Sequence, residues 1–194
     1  MIRISAFVEA IPALTLLIYL FASEPPCVWL LFFGALALHE WGHVTAFRLV
    51  RGGAPSLRLC GVGARLSPTA PLLPGEEAVV VFFGPLFNLL FALLMLRFGE
   101  GGFFLLAAVT HLLFAVGNLL PFGNSDGERL LRLLLFRLFP SLAEGLLSLI
   151  STLSLALFFY FSLVLYYLTG NGLPGVLFSL FFLLERQKPQ GNVF

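Results

Sequence analysis

His39-Glu40-Trp41-Gly42-His43 lies inside an apolar run that extends from Cys27 to Phe47. Two histidines four residues apart share one face of a helix, one turn apart. That spacing suits two ligands on one zinc ion, with the intervening Glu40 placed to act as a general base. Ionisable groups at membrane depth are costly, and a cluster of them points to function. The bland alternative is a pair of histidines at a helix end, snorkelling to the interface. The chain holds only 3 histidines, so a chance match to this pattern is improbable.

Catalytic zinc needs three protein ligands and an open fourth position. Asp126 is the best third candidate. It follows Asn118-Leu119-Leu120-Pro121-Phe122-Gly123, where Pro121 and Gly123 break a helix, and it precedes Gly127, which allows close backbone approach. Ser125 and Glu128 also read as a capping box for the next helix. The two readings are compatible, because capping by Ser125 leaves Asp126 free to ligate. Asn88, in the middle of an apolar segment behind Gly84-Pro85, reads equally as a packing hydrogen-bonder or a functional residue. His111 lies two turns before Asn118 and reads as an auxiliary ligand or a polar packing residue.

These residues need helices to carry them. Of the 194 residues, 59% are hydrophobic and 11% charged; mean hydropathy is +1.00. Soluble domains carry roughly a quarter charged residues, so the chain is an integral membrane protein. Its net charge of +1 gives no reason to expect nucleic acid as a partner. Six apolar segments can be drawn, at 4–22, 27–49, 77–97, 101–120, 142–168 and 173–184. The first lacks a clear cleavage site and reads as a retained helix. With both termini in the cytosol, ten basic side chains fall inside and Arg97 alone falls outside. Cys27 and Cys60 then lie on opposite sides, too far apart for a disulfide. Residues 56–67 alternate partly between polar and apolar and predict a β-hairpin turning near Gly61-Val62-Gly63. The expected fold is an all-α polytopic membrane protein of about six transmembrane helices, with a membrane-associated hairpin between helices 2 and 3. No domain boundary is visible, so residues 1–194 form a single domain.

The His-Glu-x-x-His helix, Gly84-Pro85-Leu86-Phe87-Asn88 in a later helix, and Asn118-Leu119-Leu120-Pro121 followed by Asp126-Gly127 together resemble the site-2 protease family of intramembrane zinc metalloproteases. The compact layout, with no room for a PDZ or CBS domain, looks most like the sporulation factor IVFB branch. The resemblance implies a catalytic core over about 27–139, with one Zn2+ per chain on His39, His43 and Asp126. It implies Glu40 as the general base and Asn118 as a catalytic residue that holds substrate or stabilises the oxyanion. It implies substrate contacts at Asn88 and at the hairpin turn Gly61, Val62 and Gly63. The substrate would be a membrane-spanning protein, unwound and cut near the cytosolic side of a bacterial cytoplasmic membrane. A regulatory membrane protein or an oligomeric partner is also implied. Ser125 and Glu128 depart from the family, which favours an apolar residue and a second glycine there; that departure bears on loop shape. The reading from a different class is a membrane zinc-binding or transport protein without peptidase activity, using the same cluster as a relay.

Overall fold

Residues that cannot continue a helix mark most of the boundaries in the computed structural model, which describes residues 18, 21–22, 24–53, 56–60, 63–67, 72–123, 125–170, 176 and 179. Helix α1 spans Pro26–Arg51. Proline is tolerated in the first turn because its missing N–H has no intrahelical partner there. Gly52 closes α1 at φ 70, and its N–H bonds the Arg48 carbonyl. Strands β1 (Ser56–Cys60) and β2 (Gly63–Ser67) follow and pair antiparallel, Ser56 opposite Ser67 and Cys60 opposite Gly63. Helix α2 spans Pro74–Phe98, opened by proline and by the Glu76 carboxylate, which accepts from Leu73 N–H at 2.8 Å. Helices α3 (Gly102–Leu119), α4 (Asp126–Leu138) and α5 (Ala143–Thr169) follow.

The packing is that of a membrane bundle. Buried positions are mostly small: Ala35, Ala46, Ala92, Ala107, Ala108 and Ala115. Small residues let helix backbones approach closely where lipid removes the hydrophobic drive for association. Large residues such as Leu93, Leu105, Leu113, Leu157 and Phe161 face outward. Helix α2 is central and touches α1, α3 and α4. Helix α5 packs on α4 through Leu135, Ala143 and Leu147, and on the α3–α4 loop through Phe122 and Leu155.

Four described helices, α1, α2, α3 and α5, are long and apolar enough to cross a membrane. Their bounds lie within three residues of the four central predicted segments. The other two predicted segments, 4–22 and 173–184, lie outside the described residues apart from positions 18, 21, 22, 176 and 179. Helix α4, with 13 residues including Arg129, Arg132 and Arg137, is the helix expected after Ser125.

One end of the bundle is fixed by charge. Arg51, ending α1, pairs with Glu76 at 2.6 Å. Arg129 on α4 pairs with Glu77 at 3.0 Å. These partly exposed pairs contribute at most about 1 kcal/mol each. They do place the end of α1, the start of α2 and the start of α4 at one level.

Candidate metal centre

Helix α1 aims His39 and His43 at α2, and glycines make room for them. A Cβ on Gly42 would overlap the Phe83 carbonyl of α2. A Cβ on Gly84 would overlap the His43 ring and crowd His39. Gly84 is therefore a notch in α2 that receives both imidazoles. Pro85, next in α2, removes a helical donor and loosens that turn.

Asp126 reaches the same place from the far side of α3. After α3 ends at Leu119, the chain turns through Gly123 at φ +64, a backbone state that glycine adopts without strain. Ser125 then caps α4: its hydroxyl donates to the Leu120 carbonyl at 2.5 Å and accepts from Glu128 N–H at 3.2 Å. Gly127 lies so close to the Leu119 carbonyl that no side chain fits. Loop, cap and glycine together turn the first residue of α4 inward.

His39 Nε2, His43 Nε2 and Asp126 Oδ2 converge. The separations are 3.1 Å between the two nitrogens, 3.0 Å from Asp126 to His39 and 3.2 Å from Asp126 to His43. Tetrahedral zinc with bonds of about 2.0–2.1 Å holds its ligand atoms about 3.3 Å apart. The triangle matches that spacing within a few tenths of an ångström. All three residues are buried.

Hydrogen bonding supports the fit. His43 Nδ1 lies 2.8 Å from the Val80 carbonyl, an acceptor only, so Nδ1 carries the proton and Nε2 offers a lone pair. Metal-binding histidines are commonly held in this way. Asp126 Oδ2 is buried without a directed hydrogen-bond partner among the described residues, although two imidazole nitrogens lie beside it. Three donor atoms aimed at one point, one of them an orphaned buried oxygen, suit a cation. As a carboxylate, Asp126 would complete the donor set.

The other predicted residues fall at different distances from this centre. Glu40 is half-buried beside the triad and feels the charges of His43, His39 and Asp126. Asn118 is half-buried and donates to the Phe114 carbonyl of its own helix at 3.0 Å. Asn88, expected to touch substrate, has no exposed surface and stands behind His39. Gly63 opens β2, while Gly61 and Val62 lie outside the described residues. The Ser125–Glu128 capping box forms only in part. Ser125 caps the Glu128 N–H, but the Glu128 carboxylate accepts from Ser151 of α5 at 3.1 Å, because α5 brings a buried hydroxyl within reach.

Two participants had no usable sequence signal. Val80 acts through its carbonyl, which every residue type possesses. Ser151 is one of several serines in an apolar helix, and only the packing of α5 on α4 selects it.

The chain matches a solved structure, "Site-2 Protease from Methanocaldococcus jannaschii", at 17% identity and a TM-score of 0.58, over 97% of this chain and 91% of that one. The fold is shared with a site-2 protease. No family model matches the chain, and neither does any curated protein.

Proposed function

We propose that the protein is a zinc-dependent intramembrane endopeptidase of the site-2 type, cutting an unwound transmembrane segment near the cytosolic side. The observation that carries this reading is the convergence of His39, His43 and Asp126 within the membrane bundle. His43 stands eight residues, about 12 Å, from the charged end of α1 at Arg51. That depth lies within a hydrocarbon core of about 30 Å. A zinc ion held there would supply a Lewis acid for the scissile carbonyl and for the attacking water.

The remaining work falls to the chain. Glu40 takes a proton from the water and returns it to the leaving amine. Asn118, released from the Phe114 carbonyl, has an amide to offer a developing oxyanion or the substrate backbone. A helical substrate hides its amides in i→i−4 bonds and must unwind first. The β1–β2 pair offers a strand edge to receive it, and we assign substrate contacts to Gly61, Val62 and Gly63. An open edge in lipid is costly, so we place the hairpin at the membrane beside the substrate cleft. Basic residues at the Arg51, Arg129 and Arg132 end orient that end to the cytosol, as in a bacterial cytoplasmic membrane with both termini inside and six spans in all. Among the described residues the His39–His43–Asp126 group stands alone as a candidate metal cluster, which gives a transport path no second station.

The test is cleavage of a co-expressed tethered reporter by the wild-type chain and by Glu40→Gln, with zinc content measured on both. We expect Glu40→Gln to keep about one zinc per chain and to lose about 10²–10⁴-fold in cleavage rate. Intact cleavage would overturn the assignment of the base. Equal zinc content with no cleavage by either chain would favour the binding or transport reading.

A further inference from the structure

His111 and Asn88 form a buried polar pair in an otherwise apolar region, and the chemistry above does not use His111. Both are closed off from solvent. His111 Nδ1 lies 2.9 Å from Asn88 Oδ1, and Asn88 Nδ2 lies 3.4 Å from His39 Nδ1. The Phe91 ring, 4.4 Å away centre to centre, packs against the His111 ring. One amide thus bridges two imidazoles, one of which reaches the triad.

The Asn88 amide can face these two nitrogens in either of two orientations, related by a half-turn, and each fixes a different pair of proton positions. With its NH2 toward His39, Asn88 donates to His39 Nδ1 and the His39 proton sits on Nε2, where it occupies the lone pair a metal needs. In that same orientation His111 donates from Nδ1 to the Asn88 oxygen. Zinc on His39 Nε2 requires the reverse: His39 must carry its proton on Nδ1 and find an acceptor for it. A half-turn of the Asn88 amide provides one. Its oxygen then faces His39, its NH2 faces His111, and His111 Nδ1 becomes an acceptor with its proton on Nε2. Each imidazole keeps one proton and moves it from one nitrogen to the other, so none is gained or lost.

We propose that His111 and Asn88 are positioning residues that select the zinc-binding tautomer of His39, and that zinc binding switches the tautomer of His111 without touching it. This rests on the metal-centre reading. Asparagine suits the role because its two ends are a donor and an acceptor of nearly equal shape. Histidine suits it because one ring nitrogen can play either part.

The full chain in lipid nanodiscs, with 15N-labelled histidine, tests it by zinc titration. The chain has 3 histidines, so the spectrum is assignable from single variants. Zinc should shift His39 and His43 and move the His111 proton from Nδ1 to Nε2. If His39 and His43 shift while His111 keeps its tautomer, the relay is wrong and the metal centre stands. If no histidine responds to zinc, both readings fall. In a second arm, His111→Phe should weaken zinc binding about 10–100-fold in a chelator competition, and His111→Gln, which can meet Asn88 either way, should recover most of it. Undiminished affinity in a folded His111→Phe chain would also overturn the proposal.

Discussion

His43 is anchored at one ring nitrogen and aimed with the other. Its Nδ1 is anchored on the Val80 carbonyl and its Nε2 is aimed at Asp126. The ring has no room to retreat, because the Gly84 backbone lies against it. Gly84→Ala should therefore displace the ring and cut zinc occupancy by about tenfold or more, read by metal content at unchanged helicity in circular dichroism. Asp126→Ala should abolish stoichiometric zinc, since two histidines alone do not make a tight site; full occupancy in that variant would assign the third ligand elsewhere. At this scale the spacing of His39 and His43 was legible, because helical periodicity is a local rule. The role of Gly84 as a socket was not, because a notch is defined by what fills it.

Element boundaries decide whether Asp126 faces the site. The Ser125 hydroxyl makes two hydrogen bonds, one to each side of the α3–α4 break. Removing the hydroxyl should cost about 1 kcal/mol through the lost cap alone. It should also let the start of α4 drift. The expected result for Ser125→Ala is a lower thermal midpoint in detergent together with weaker zinc binding. A loss of stability with zinc affinity unchanged would mean the loop is held by Gly123 and Gly127 without the cap. The break itself was readable from Pro121 and Gly123, and the cap from Ser125. The destination of Glu128 was not, because the capping-box pattern names a partner within the turn while Ser151 competes from α5, 23 residues along the chain.

At the scale of the whole molecule, most of the apolar side-chain bulk faces outward and the small residues face inward. Composition foretells this for a membrane chain, since lipid is as good a solvent for leucine as the interior is. It also sets a topology. Cys27, at the start of α1, is exposed and belongs to the end opposite the Arg51–Glu76 pair. A membrane-impermeant maleimide added outside intact cells should modify Cys27, and a cysteine introduced at Gly53 should react only after permeabilisation. The opposite pattern would invert the bundle and move the proposed cleavage to the other side of the membrane.

The sequence by itself determined the membrane class, the four central helices within a few residues and the identity of three buried candidate ligands. These depend on hydropathy, helical period and residues such as proline and glycine, all of which act over a few turns of chain. Only the tertiary structure decided that Asp126 closes to 3.0 and 3.2 Å of histidines more than 80 residues away. It alone turned Asn88 away from solvent and toward His39 and His111. Which buried polar group meets which depends on helix crossing and rotation, set by the sum of many weak contacts, and no local pattern encodes that sum.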